Sequence, residues 1–336
     1  EKDIYRSFLK NVQPDAIHLH SIIGLHKEFL EVAKDLDIKV FFTSHDYYGL
    51  APVPHFYFNG VDYSDKNTNL AWNIMSSNAL SVKKLRLFQI SFYPTIRKLL
   101  KLLGKNPKSK KNLVIRDVIE EQDFSELRHY YNEMFHLIDG YLFNSSLAKN
   151  VYEQNEIKPT KSTVLSITNS SIKHHQRLTT TNDKIRVAYI GPDEEYKGYF
   201  DFIKLAELLD RDKYEVRTYG HNPTDKCPDF IKQLGRFDSK KSGAVYSEID
   251  VLIVPSKWKE TFGLIVLEGL SFGVKVFVSD SVGAKEILEK EDIFTNYICL
   301  AEQLNNEMIK VNKITNFPTM SEHYRKLLDV YKSGVR

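Results

Sequence analysis

The chain has 336 residues, 42% of them hydrophobic and 27% charged, with a net charge of +3. That length predicts two domains and a core large enough to fold without disulfides. Two cysteines, Cys227 and Cys299, argue against a disulfide framework or a cysteine zinc site and fit a reducing compartment; no apolar run approaches the ~18 residues of a membrane span, and residues 1–4 have no signal-peptide core.

In chain order, residues 4–12 predict a short amphipathic helix, 16–20 a buried strand, 26–36 a helix and 38–43 a strand that ends in Ser44-His45-Asp46-Tyr47-Tyr48. Strands alternating with helices predict a parallel sheet with crossover helices. Residues 51–82 are rich in Pro, Asn and Ser and read mostly as loop. Residues 83–104 read as helical around a break at Pro94, with Ile96, Leu99, Leu100 and Leu103 at helical spacing and Gly104 as a C-cap. Helices follow at 123–137 and 146–154, flanking a short strand at 139–144. Residues 168–183 read as a linker. A second α/β pattern then opens, with strands at 184–190, 214–219, 251–254 and 274–278, helices at 199–209 and 264–271, and a terminal amphipathic helix at 320–332.

The densest chemistry lies in residues 250–280. A buried strand ends at Pro255, a loop carries Glu260, and a helix runs from near Gly263 to Gly273. Gly263 lets the backbone approach a ligand, and the free N–H groups of the helix start suit a diphosphate. Glu260 stands just outside that helix and Glu268 about one turn inside it. Two carboxylates beside a phosphate site suit the hydroxyls of sugars that flank the phosphates. Spacing alone is as compatible with Glu260 capping the helix and Glu268 facing solvent.

The string Pro255-Ser-x-x-x-Glu260-x-Phe262-Gly263-Leu264-x-x-x-Glu268-Gly269-Leu270-x-x-Gly273-Val274 continues through Ser279-Asp280 and Gly283 to Glu286. It resembles the Glu-x7-Glu signature of retaining GT-B glycosyltransferases of family 4, the glycosyl transferases group 1. The resemblance implies an α/β GT-B fold, two Rossmann-like doubly wound domains with a cleft between them, and an N-domain lacking its first βα unit. The expected division is an acceptor-side N-terminal domain at 1–167, the linker, a nucleotide-sugar-binding domain at 184–318, and a helix at 319–336 that crosses back to the first domain. The resemblance further implies that Glu268 holds the ribose, that Glu260 faces the donor sugar, and that the amides of Phe262, Gly263, Leu264 and Ile265 surround the phosphates. It implies a UDP- or GDP-sugar donor, no cofactor and no metal.

Residues 187–192, with Gly191, followed by Lys197-Gly198, resemble the family's strand–loop–helix that brings a lysine to the diphosphate. The family commonly has Arg where this chain has Pro192, so Lys197 carries more of the phosphate charge alone or another cation substitutes. A solvated surface lysine is the bland alternative for Lys197. Residues 14–20 and 40–47 resemble the family's N-domain strands. His45 is then expected to contact the donor sugar near the reacting carbon, against the alternative of a buried structural histidine. His18 and His20 alternate across a strand, so His20 is expected in the cleft and His18 in the core. Asp46 either binds acceptor or caps a turn.

The charge is uneven. Residues 66–116 hold 12 Lys or Arg and no Asp or Glu, leaving 35 basic and 44 acidic residues elsewhere, a balance of −9. Lys83, Lys84, Arg86, Arg97, Lys98 and Lys101 beside Leu, Ile, Phe and Tyr match an interfacial helix on anionic lipid, at about 1 kcal/mol per cation. Packing of the apolar stripe on the N-domain is the alternative, and no nucleic-acid motif accompanies the charge. The expected protein is a cytoplasmic glycosyltransferase, peripheral on the inner face of the cell membrane, that moves a sugar to a cell-surface polysaccharide or lipid-linked acceptor. A non-catalytic GT-B partner docked at a membrane, or a GT-B nucleotide-sugar epimerase, would share the motifs.

Overall fold

The structure, a computed structural model, describes residues 2–77, 79, 86, 90, 92–102, 122–175, 183–308 and 318–335. Lys83, Lys84, the side chain of Lys101, Leu103, Gly104 and residues 176–182 of the expected linker lie outside the described residues.

The N-terminal half comprises α1 (Lys2–Val12), β1 (Ala16–Leu19), α2 (Lys27–Asp35), β2 (Lys39–Ser44), a hairpin of β3 (Tyr57–Phe58) and β4 (Val61–Asp62), α3 (Asn69–Ser76), α4 (Tyr93–Leu102), α5 (Ser125–His136), β5 (Gly140–Phe143), α6 (Ser146–Gln154) and β6 (Ser162–Val164). Its sheet is parallel, in the order β1-β2-β5-β6. Helices cover both faces of such a sheet, and accordingly every residue of β5 is buried, along with Val40, Phe41 and Phe42 of β2.

The C-terminal half comprises β7 (Ile185–Ile190), α7 (Tyr199–Leu208), β8 (Tyr214–Tyr219), β9 (Lys232–Gln233), α8 (Ser242–Ser247), β10 (Val251–Val254), α9 (Leu264–Ser271), β11 (Lys275–Ser279), β12 (Ile293–Phe294), α10 (Tyr297–Asn306) and α11 (Met320–Val335). Its parallel sheet has the order β12-β11-β10-β7-β8-β9. The chain enters at β7, winds out through β8 and β9, then returns to the other side of β7 at β10. Doubly wound sheets bind ligands at such a reversal, outside the carboxyl ends of the strands. Here the reversal lies between β7 and β10.

The last helix leaves this half and packs on the first sheet. The Tyr331 ring lies 5.0 Å from that of Phe41, and Leu327 and Val330 join the cluster of Phe41, Leu142 and Leu165.

Two local differences from the sequence reading have simple causes. Residues 51–82 are mostly loop, as expected, but they also contain the hairpin and α3, which were not anticipated. The Thr68 hydroxyl caps α3 by accepting from the Ala71 N–H at 3.2 Å, and Trp72 and Met75 are buried. Near the expected break, residue 90 is a bend and residue 92 a turn, and Pro94 occupies the first turn of α4, where a missing N–H is not needed. The short elements β6, β9, α8 and β12, and the longer α10, were not anticipated. In α10 the pattern is plain in retrospect, since Leu300, Ala301 and Leu304 are its buried face.

A buried ion pair ties the switch-point strands together. Arg186 of β7 is 2% exposed, and its guanidinium donates to both Asp250 oxygens, at 2.9 and 3.0 Å. Asp250 also accepts from the Arg186 N–H at 2.8 Å. Breaking one side strands a buried charge. Asp250→Ala is expected to lower unfolding free energy by about 3–5 kcal/mol, read from urea titrations. The double variant Arg186→Met/Asp250→Leu should recover most of that loss.

Candidate active site

The loops that follow β7 and β10 touch each other. Gly198 has φ +74°, and a Cβ there would sit 1.7 Å from the Pro255 carbonyl oxygen. Only glycine permits both the left-handed backbone and this approach. The contact juxtaposes Lys197, at the end of a 3₁₀ turn over Glu195–Lys197, with Glu260. The Lys197 Nζ lies 2.7 Å from Glu260 Oε1, with the side chains 24% and 13% exposed. Ser256 Oγ donates to the other Glu260 oxygen at 2.5 Å. The Glu260 backbone bonds at both ends to the loop after β11, from its N–H to Ser281 O at 2.8 Å and to its carbonyl from the Gly283 N–H at 2.9 Å. Glu260 is therefore held by three loops and partnered by one cation.

Trp258 completes the arrangement. Its ring is 8% exposed, and Lys197 Nζ lies 5.0 Å from its centroid. A cation over an indole face is attracted by the ring quadrupole. The same indole meets Tyr47 and His55 of the N-terminal half edge-on, at 6.0 and 5.9 Å.

Gly263, at φ +98°, precedes the first turn of α9, so Phe262, Gly263, Leu264 and Ile265 form the helix start. Phe262 is buried with the core of this half. Glu268 accepts from the Tyr246 hydroxyl at 3.0 Å. It lines a cleft of about 820 Å³ together with Gly191, Pro192, Gly220, Ile265, Arg236 and Lys240. Arg236 and Lys240 had not been singled out from the sequence. They follow β9, a two-residue strand with no clear signature, and their place in the cleft comes from its pairing with β8. They provide cations in the cleft where Pro192 replaces the arginine usual in the resembled family.

Across the interface, Thr261 Oγ1 donates to the His45 carbonyl oxygen at 3.0 Å, and Ser145 Oγ donates to the Thr261 carbonyl at 2.8 Å. The loop bearing Glu260 is thereby fastened to the end of β2. His45 Nε2 lies 2.9 Å from His20 Nδ1, and Asn144 Nδ2 lies 3.5 Å from His45 Nδ1. An amide N–H₂ only donates, so His45 carries its proton on Nε2 and passes the hydrogen bond to His20. His20 is exposed, and its remaining N–H is the donor this pair offers outward. The expected alternation does not hold, because residues two apart on a strand share a face, and the His18 ring lies 4.3 Å from that of His20. His18 Nδ1 is 2.5 Å from the Tyr331 hydroxyl of α11, and its Nε2 is 2.7 Å from Thr43 Oγ1. Asp46 accepts from the Tyr48 N–H at 2.9 Å, which closes a turn. Of the cations expected on a membrane face, Arg86, Arg97 and Lys98 are exposed, as are Ile96 and Leu99 of α4.

Residues 170–326 match the family model described as Glycosyl transferases group 1. The chain is 24% identical over 339 residues to an uncharacterized 42.6 kDa protein in the cps region of Klebsiella pneumoniae, covering 96% of this chain and 74% of that one. It is 27% identical over 111 residues to the putative colanic acid biosynthesis glycosyl transferase WcaC of Escherichia coli K12, covering 33% and 27%. Among solved structures it resembles a glycosyltransferase from Rickettsia africae (TM-score 0.55, 13% identity, 100% of this chain and 80% of that one). It also resembles Anabaena HepE in complex with UDP and glucose (TM-score 0.52, 12% identity, 99% and 75%). The fold is GT-B, with two Rossmann-like sheets.

Burial, with help from His20 and His45, lowers the His18 pKa from 6.5 to about 4, and burial followed by His20 lowers that of His45. The unfolded chain therefore binds more protons at these sites than the folded one. Their stabilisation is complete above pH 6.5 and falls as the pH drops towards 4. The urea midpoint should decline between pH 6.5 and 5, above the range of ordinary carboxylates, and His18→Gln should flatten that decline. An unchanged slope would show that His18 is not its source.

Proposed function

We propose that the protein is a retaining glycosyltransferase of family 4 that moves a hexose from a nucleotide-sugar, UDP- or GDP-linked, to a polysaccharide or lipid-linked acceptor. The observation that carries this reading is the Glu268 cleft beside the Lys197–Glu260 pair. One cleft offers a carboxylate, a helix start and two cations, and the next loop offers a lysine already held at a second carboxylate. The match of residues 170–326 to the group 1 family model, and relatives from the cps region and from colanic acid biosynthesis, support a role in polysaccharide biosynthesis. The UDP bound by Anabaena HepE supports a nucleotide-sugar donor.

In this mechanism the Glu268 carboxylate accepts from the ribose hydroxyls. The start of α9 and Lys197 stabilise the departing diphosphate, and Arg236 and Lys240 add positive charge to the nucleotide cleft. Preorganised cations of this kind contribute most where charge develops in the transition state. Glu260 leaves its bond to Lys197 as the diphosphate takes over the ammonium, and then orients the donor sugar. His45 acts through His20. The leaving phosphate accepts the acceptor's proton, and no metal or cofactor is invoked. The exposed Arg86, Arg97, Lys98, Ile96 and Leu99 support peripheral contact with the inner face of an anionic membrane. No helix among the described residues is long and apolar enough to span it.

A thermal-shift panel of UDP-, GDP- and ADP-sugars should show stabilisation by one class. Glu268→Ala should weaken binding of the matching nucleotide at least tenfold by calorimetry. Lys197→Ala should lower kcat by about 10²–10³ with a smaller effect on donor affinity. Absence of a shift with every nucleotide-sugar would favour a non-catalytic partner subunit.

A further inference from the structure

The loop that follows β7 has two carbonyl oxygens held from beneath by buried side chains. Gly191 and Pro192 of this loop line the Glu268 cleft. β7 and β8 end in register, with Ile190 opposite Tyr219, so the residues that follow the two strands lie side by side. The Gly191 N–H donates to the Tyr219 carbonyl at 3.0 Å. The Gly191 carbonyl oxygen lies 2.9 Å from Nδ1 of His221, and the Pro192 carbonyl accepts from the Tyr189 hydroxyl at 2.7 Å. His221 and Tyr189 are each 2% exposed. Both carbonyls therefore point into the body of the C-terminal half rather than into the cleft.

A carbonyl oxygen only accepts, so His221 carries a proton on Nδ1. Its Nε2 is buried and has no hydrogen-bond partner among the described residues, so the bond to Gly191 is the only one this ring makes there. The ring packs against Tyr199, at 4.9 Å and 75°. Burial, and next the charge of Glu260, raises the Tyr189 pKa, so that hydroxyl keeps the proton it donates.

The orientation of these peptides bears on anion binding. A peptide unit carries a dipole with its negative end at the oxygen. Carbonyls turned into the cleft would oppose a diphosphate there. The loop cannot prevent this by itself. Glycine is the residue least able to hold one backbone conformation, and proline has no N–H to offer an anion. Two buried donors supply the missing constraint, and an unpaired carbonyl would leave the interior for the cleft, because burial without a partner is costly.

We propose that His221, with Tyr189, is a positioning residue for the donor diphosphate, its Nδ1–H keeping the Gly191 carbonyl turned away from the nucleotide cleft. The inference rests on the nucleotide-sugar reading above. His221 itself does not line the cleft and acts only through the Gly191 peptide.

Calorimetry on the full chain with UDP and GDP, beside saturation-transfer NMR titrations of uridine and guanosine, tests the assignment. His221→Leu removes the donor, whereas the Asn amide of His221→Asn stands where Nδ1 stood. Tyr189→Phe removes a single oxygen. His221→Leu and Tyr189→Phe should each weaken the nucleoside diphosphate at least fivefold and the matching nucleoside less than twofold. His221→Asn should stay within twofold of the unaltered chain for both. Thermal melting identifies a variant that does not fold, and Tyr189→Phe then carries the test. The assignment is overturned if the diphosphate binds normally to His221→Leu and Tyr189→Phe, if nucleoside and diphosphate weaken equally, or if His221→Asn loses as much as His221→Leu. Absence of nucleotide binding by the unaltered chain would overturn the donor reading, and this assignment with it.

Discussion

Trp258 belongs by sequence to the C-terminal half and by packing to the N-terminal core. Its indole joins the cluster built on Phe42, Tyr47, Phe135 and Tyr152, while its own loop carries Glu260 two residues later. Burying a large aromatic is among the strongest single contacts available to a protein. Here it fixes how one sheet stands against the other. Lys197 lies over the same ring, so the contact that joins the halves also helps to hold the cation of the candidate site. The Thr261–His45 and Ser145–Thr261 bonds lock the same loop from the other side.

The geometry is that of a site holding its own opposite charges. With no anion at hand, Lys197 and Glu260 neutralise each other. In the proposed mechanism a diphosphate competes for the lysine and releases the carboxylate toward the sugar. Glu268 is kept apart from this exchange by its bond to Tyr246 and by its place on a helix rather than a loop. The separation between the helix-borne Glu268 and the loop-borne Lys197–Glu260 pair follows from the sheet order, because the β7–β10 reversal opens a crevice with both loops on its rim.

Much of this was legible in the residues. The run from Asp250 to Asp280 alternates a buried strand, a polar loop, a glycine-bounded helix and another buried strand, and the predicted boundaries of β10 and α9 match those observed. Parallel strands buried on both faces read as apolar runs, which is why β2, β5, β7 and β10 were found. α3 was hidden by the surrounding Pro, Asn and Ser, since its stability comes from Trp72 and Met75 reaching the core rather than from helix propensity. Arg236 and Lys240 escaped because their position depends on β9, a strand too short to have a pattern.

The sequence by itself determined which residues can do chemistry and which short segments hold them. Local spacing sets the helix start at Gly263 and the βαβ unit around Glu260 and Glu268. Only the tertiary structure decided their partners. It paired Lys197 with Glu260 across 63 positions, turned His18 toward α11, bonded His20 to His45 and made Asp46 a turn cap. These choices depend on strand order and on the packing of one half against the other, and no local pattern in the chain encodes such long-range contacts.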